Sequence, residues 1–233
     1  MPSDNGSNHI GRLNEQPLHA ALKERYATPG AAREVTVDGF VIDVVRDDLL
    51  LEIQTGNFAS VKTKMAWLAA RHPVRLVYPI VRERWLLKLP KEKGGETERR
   101  KSPKRGRVEE VFKELVSFPE LLCEETFSLE VALIQEEQLR RWDPAEGWRQ
   151  NGWVTVESRL LDVVGRRVFR SPDDMASTVP EGLPERFTTA DLAEALDGPR
   201  YLAQKMAYCL RRMGVITKIG NRGQSYLYVM GDG

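Results

Sequence analysis

The chain has 233 residues, enough for one large domain or two to three small ones, and its 35 Lys and Arg against 34 Asp and Glu leave a formal net charge of +1. A near-neutral total does not mark a nucleic-acid binder, so any such contact would rest on local basic surface. Cys123 and Cys209 lie far apart without metal-ligand spacing, which argues against a disulfide scaffold or a zinc finger. No apolar run approaches the roughly 20 residues of a membrane helix, and the polar start MPSDNGSN lacks a signal peptide's hydrophobic region.

Residues 1 to 14 are polar. Glu15 to Ala27 reads as a helix, with Leu18, Leu22 and Tyr26 on one side and Pro17 in the first turn, ended by Thr28-Pro29-Gly30. The next stretch, Glu34 to Lys64, reads as two tight hairpins and a helix. Asp38-Gly39 is a strong two-residue turn signal and Asp47-Asp48 a weaker one. Two-residue turns would pair Glu34 with Asp43 and Asp43 with Glu52. Those three carboxylates and Gln54 would then share one sheet face, with Val35, Val37, Ile42, Val44, Leu51 and Ile53 on the other.

Like charges directly opposite one another destabilise a sheet, so a row of carboxylates asks for a cation. A divalent, oxygen-preferring ion such as Mg²⁺ meets that need with one or two carboxylates, water and substrate phosphate. The plainer alternative is an exposed antiparallel sheet with ordinary acidic residues on its wet side. Thr55-Gly56-Asn57 can turn and cap a helix running to about Arg71, with Phe58, Val61, Met65 and Leu68 as its buried stripe and Lys62 and Lys64 on opposite flanks. His72-Pro73 closes it. Val74 to Ile80 reads as a buried strand, and Arg84 to Leu89 as a further one.

The order helix, hairpin strands carrying Asp43 and then Glu52-Ile53-Gln54, helix, and strand Val74 to Ile80 resembles the PD-(D/E)XK nuclease superfamily over the first ninety residues. The resemblance implies that Asp43 and Glu52 bind the catalytic metal, Mg²⁺ or Mn²⁺. It also implies a helical Glu pointing into the site, for which Glu15 stands here, and a Lys two residues after the Glu. Gln54 occupies that last place, as in some nucleases of the superfamily. It can orient a water but cannot neutralise phosphate charge, and Lys62 or Lys64 is the candidate replacement. Glu34 is a further candidate ligand.

Lys91 to Arg107, KEKGGETERRKSPKRGR, has the composition of an exposed basic linker suited to phosphate contact. Val108 to Leu122 looks helical, Thr126 to Gln135 alternates like a strand, and Leu160 to Phe169 supplies another short element. Residues 108–170 are thus either an extension of the nuclease sheet or a small separate unit. Trp142, Trp148 and Trp153 read as core and loop packing. Residues 171–184, with three prolines, read as a second linker.

From Phe187 onward the pattern is a helix opened by a Thr188/Asp191 capping box, a break at Asp197-Gly198-Pro199, a longer helix to Met213, and a terminal hairpin. This resembles a winged helix, the resemblance implying that the long helix enters a DNA groove. Lys205, Arg212 and Arg222 would then contact phosphate or base edges, with Gln204 as a base reader.

The expectation is therefore an α/β (α+β) protein: a restriction-endonuclease-like core with a mixed central sheet (1–90), a basic linker (91–107), a middle region (108–170), a linker (171–184) and a C-terminal winged helix (185–233). Its expected function is metal-dependent DNA endonuclease in the cytoplasm, with DNA as partner, a homodimer or partner protein for cutting both strands, and no membrane. The alternative is a catalytically inactive nuclease-fold protein that binds DNA or regulates; a protein-interaction module is a third reading. No GxxxxGK[ST], HExxH or CxxC motif supports an ATP-driven motor, a zinc protease or a thiol redox enzyme.

Overall fold

Two turns set the first half of the fold. Strands β1 (Ala32–Val37) and β2 (Phe40–Arg46) meet at Asp38-Gly39, both with positive φ, so that Val37 pairs with Phe40. That turn needs left-handed backbone, which Gly takes freely and Asp tolerates. Asp47-Asp48 closes the second turn, setting Arg46 opposite Leu49 at the head of β3 (Leu49–Ile53). The computed structural model describes residues 10–92 and 94–231, with side chains from residue 17 onward.

A seven-stranded mixed sheet runs β1-β2-β3-β4-β6-β7 with a seventh short strand, β5 (Glu98–Lys101), paired to β4 off that path, where β4 is Val74–Lys88, β6 is Phe127–Trp142 and β7 is Trp153–Phe169. β4 lies parallel to both β3 and β6, and the other pairs are antiparallel, so the fold is α+β. Residues 108–170 thus contribute two strands to the same sheet. The stretch Val108 to Leu122 is not one helix but α3 (Phe112–Leu115) between two short 3₁₀ turns.

β4 is continuous where two strands were expected, and β7 is longer than its apolar part. Beyond the core these strands are held by their ladder and by cross-strand ion pairs, such as Arg84 with Glu136 at 2.5 Å. Trp142 meets Trp153 edge-on at 5.3 Å near the far end. The expected linker 91–107 contains β5 (Glu98–Lys101), which pairs with β4. The expected linker 171–184 contains α4 (Pro172–Ala176), which buries Met175 completely. Both corrections have one cause: backbone pairing and a single buried side chain order a segment whose composition reads as loose.

Helix α1 (Ile10–Tyr26) covers one face of the sheet, packing Leu18, Leu22 and Tyr26 on Val44, Leu51, Ile53 and Val77. The Tyr26 hydroxyl donates to buried Glu130 at 2.5 Å and fixes the helix's far end. On the opposite face, Ile42, Leu50, Leu76 and Ile80 meet Phe58, Met65 and Leu68 at and within α2 (Lys62–Ala69). The C-terminal helices α5 (Thr189–Ala195) and α6 (Arg200–Arg212) and the hairpin β8 (Ile216–Arg222), β9 (Ser225–Met230) join that same core through Leu192, Met206, Leu210 and Ile216. The Thr188/Asp191 capping box opens α5 as its spacing predicts. Phe187 bridges to Tyr228, adding a third short edge to the hairpin. Among the described residues no helix is long and apolar enough to cross a membrane.

Candidate functional site

The β2–β3 ladder runs Arg46↔Leu49, Val45↔Leu50, Val44↔Leu51 and then stops. The next residue on each strand is Asp43 and Glu52. In place of the missing rung, the Asp43 carboxylate accepts the Ile53 N–H at 2.9 Å. On the other side of β2, pairs Arg33↔Val44 and Val35↔Ile42 bracket a gap at Glu34, whose φ is 54°. The register expected from the two turns therefore holds, and the carboxylates sit where the strands part. Alternation fails locally: Ile42 joins the α2 side of the sheet and Val44 the α1 side, instead of sharing one face.

Each carboxylate is met by basic side chains from a different helix, His19 and Lys23 for Asp43 and Lys64 for Glu52. Asp43 Oδ2 lies 3.2 Å from His19 Nε2, and its Oδ1 3.3 Å from Lys23 Nζ, both on α1. His19 Nε2 is also 3.0 Å from the Ile53 carbonyl, and with two acceptors this nitrogen carries the proton. Lys64, from α2, pairs with Glu52 Oε1 at 2.6 Å and donates to the Val41 carbonyl at 2.6 Å. Glu52 Oε2 is buried and has no hydrogen-bond partner among the described residues.

These surroundings push the two acids apart. Burial drives the Glu52 pKa up, the Asp43 charge adds to it, and Lys64 opposes without cancelling. Burial acts on Asp43 too, but the His19 hydrogen bond, the Ile53 amide and Lys23 outweigh it and hold Asp43 below the usual carboxylate range. Asp43 is thus the settled anion and Glu52 the one whose charge lacks full compensation. Separation of this kind between adjacent acids is a mark of functional sites as well as of structural ion-pair networks.

The sequence-derived candidates divide clearly. Asp43, Glu52 and Lys64 come together. Gln54 follows directly, its backbone N–H held by Val77 O at 2.9 Å and its side-chain amide bonded back to Gly56 O. Glu34 is largely exposed and reaches Asp43 only through Lys23, which it pairs at 2.7 Å. Lys62 is exposed on the other flank of α2, where its charge acts on Glu120. The side chain of Glu15 lies outside the described residues. His19 and Lys23 were not anticipated. The signal available was their spacing of four beside the Leu18, Leu22, Tyr26 stripe, which stacks them on one helix flank.

Among the described residues, no three His, Cys, Asp or Glu side chains gather closely enough to hold an ion alone. Two carboxylates with one unpartnered buried oxygen fit Mg²⁺ or Mn²⁺, hard ions that complete their shell with water and phosphate, and do not fit a closed zinc site.

A second surface lies at the C-terminus. α6 and the β8–β9 hairpin enclose a groove of about 410 Å³ lined by Arg200, Gln204, Tyr208, Arg211 and Tyr226. Of the four residues expected to meet DNA, only Gln204 lines it. Lys205 Nζ donates to the Lys113 carbonyl at 2.8 Å, Arg212 pairs with Glu120, and Arg222 bonds Asp191 at 3.3 Å and the Arg186 carbonyl at 3.0 Å. For Lys205 and Arg212 the reason is that α6 is covered on two sides, by α5 and the hairpin and by the α3 region, so its free flank is narrower than the helical period alone suggests, while Arg222, on β8, is drawn back to Asp191 of α5.

A family model described as Domain of unknown function (DUF8091) matches residues 16–170, a span that begins within α1 and ends just past β7. It includes the carboxylate pair and stops short of the α6 groove. An uncharacterized protein of Treponema pallidum (strain Nichols) is 32% identical over 222 residues, covering 94% of this chain and 86% of the relative. No solved structure matches the chain.

Proposed function

We propose that the chain, which belongs to the DUF8091 family, is a metal-dependent DNA endonuclease that hydrolyses phosphodiester bonds on a PD-(D/E)XK-like core, with a C-terminal winged helix as its docking unit. The observation that carries the reading is the buried, unpartnered Glu52 Oε2 beside Asp43, at the point where β2 and β3 part. Asp43 and Glu52 would hold Mg²⁺ or Mn²⁺. Such an ion supplies the positive charge that acidifies a water and stabilises developing charge on the phosphate.

The chain's own residues divide the remaining work. Gln54 has its amide nitrogen tied to Gly56 O, which leaves the carboxamide oxygen as an acceptor that can orient a water. Lys64 stands on Glu52 and brings the positive charge that a Lys at position 54 would have given. Arg200, Gln204, Tyr208 and Arg211 replace Lys205, Arg212 and Arg222 as the residues that face DNA in the α6 groove.

One observation favours a second reading, a catalytically inactive nuclease-fold protein that binds DNA. Both Asp43 oxygens are already engaged, by Ile53, His19 and Lys23. The test is cleavage of labelled linear, supercoiled, single-stranded and four-way-junction DNA with Mg²⁺, Mn²⁺ or EDTA, alongside Asp43→Ala. Metal-dependent cutting that vanishes in the variant is expected. Cutting that persists in EDTA or in Asp43→Ala overturns the site, and binding without cutting under either metal selects the second reading.

A further inference from the structure

We infer that a notch in the edge of β4, one residue from Gln54, receives the backbone of a nucleic-acid strand, with Lys104 and Arg105 holding its phosphate. The inference deepens the endonuclease reading and rests on it for the identity of the strand. The notch exists because β4 outlasts β3. The Gln54 N–H takes Val77 O at 2.9 Å, and the next donor along that edge is the Gly106 N–H on Val81 O, also at 2.9 Å. Between them about 13 Å of strand edge has no backbone hydrogen-bond partner among the described residues. Pro79 occupies the gap, a residue with no N–H to leave unsatisfied there.

Cavities open on both faces of the sheet at this place. One, of about 290 Å³, is lined by Tyr78, Lys104, Arg105 and Glu110 on the α2 side. The other, of about 330 Å³, is lined by Leu18, Ile134 and Glu136 on the α1 side. Both share Thr55, Pro79, Val81 and Arg84. Two open cavities that share one strip of strand edge suit a chain that runs along that edge better than a small ligand that must be enclosed.

The basic wall is held in advance. The Ser102 N–H bonds Arg84 O at 2.8 Å, the Arg82 guanidinium donates to Gly106 O at 3.1 Å, and Arg105 donates to Ser102 O at 2.7 Å. Gly106 is seated so closely on β4 that a Cβ there would stand 2.5 Å from Val81 O. Arg84 is spent on Glu136 at 2.5 Å, and Arg105 is 3.8 Å from Glu83, which Lys101 already pairs at 2.7 Å. The exposed Lys104 ammonium has no partner among the described residues. A phosphate is the complementary group, and Thr55, which lines both cavities, follows Gln54 directly in the chain.

The test is binding of a fluorescent single-stranded oligonucleotide to the full chain in EDTA, so that cutting plays no part, across a series of salt concentrations. Lys104→Ala with Arg105→Ala is expected to weaken binding about tenfold and to reduce the log–log salt slope by roughly 0.7, the value for one lost phosphate contact on a single strand. Arg99→Ala with Arg100→Ala removes equal charge from nearby β5 and is expected to leave both quantities nearly unchanged. Equal losses in the two double variants, or none in the first, overturn the notch. A mononucleotide that competes as well as the oligonucleotide also overturns it, in favour of a small-ligand pocket. Cutting by wild-type protein with an unchanged slope would defeat the notch and spare the endonuclease. A reduced slope without cutting under any metal would do the reverse.

Discussion

The carboxylate pair and the α6 groove hold charge in opposite ways. At Asp43 and Glu52, three of four oxygens are met by protein groups, from His19, Lys23, Lys64 and the Ile53 amide, in a partly buried setting. Around Arg200 and Arg211 the charges line an open groove beside exposed Tyr208 and Tyr226. A compensated, buried site works by exchanging one cation for another and is lost with any single member. An open basic groove works by summed, salt-screened contacts and tolerates the loss of one.

The largest effect expected from that contrast is at the acids. Asp43→Ala or Glu52→Ala should lower metal-dependent cleavage by about 1,000-fold or more, the scale of losing the charge stabilisation of a transition state. DNA affinity in EDTA should stay near wild type in both. Next comes Lys64→Ala, with a loss of about 100-fold in the cleavage rate. Lys62→Ala, the same chemistry two residues earlier, should leave the rate within about twofold. Equal losses from the two lysines would mean that α2 contributes general basicity and no positioned charge.

The groove should yield less. Arg200→Ala with Arg211→Ala is expected to weaken DNA binding about tenfold, with a shallower salt dependence and no change in melting temperature. Lys205→Ala inverts that outcome. It leaves the Lys113 carbonyl without its donor, a loss of about 1 kcal/mol that lowers the melting temperature by about 2–4 °C, while DNA affinity holds. If Lys205→Ala weakens binding and spares stability, the exposed face of α6 has been misassigned.

What could be read beforehand follows a physical line. Asp38-Gly39 and the Thr188/Asp191 box are local, their chemistry complete within four residues, and each formed as its letters require. Two turns of known length then carried the register to Asp43 and Glu52, and helical spacing carried Lys64 to one of two flanks. Long-range partners had no such signal. The resemblance aims an acid of the first helix, Glu15, at the site, but nothing near residue 19 announces Asp43 as its partner, and nothing near Lys205 announces the Lys113 carbonyl. The continuity of β4 was hidden for a related reason. Past Val81 it is held by neighbours in β5 and β6, so its own alternation is weak evidence. Composition misled most at 91–107 and 171–184, where a four-residue pairing and one buried methionine order segments that are otherwise polar.

The smallest expected effect tests whether the Asp43 end of the site is held by a titrating partner. His19 is raised above its ordinary 6.5, chiefly by its hydrogen bond to Asp43 and against the pull of burial. The folded chain therefore binds this proton more tightly than the unfolded one. Its contribution to stability is complete below the unfolded pKa and is lost as pH rises through the folded one. Asp43 is lowered from its ordinary 3.8, so its own contribution is present above that value and is lost as pH falls through the folded pKa. The pair is strongest between those limits. His19→Gln keeps an N–H donor and cannot titrate, so the fall in melting temperature between about pH 6 and pH 8 should be smaller in the variant than in wild type. An identical fall in both would mean that His19 is not what holds Asp43. Saturating Mg²⁺ should flatten the wild-type curve in the same way, because an ion on Asp43 and a protonated His19 compete for one carboxylate. The Arg200→Ala, Arg211→Ala variant should keep the full wild-type slope, because arginine does not titrate in that range.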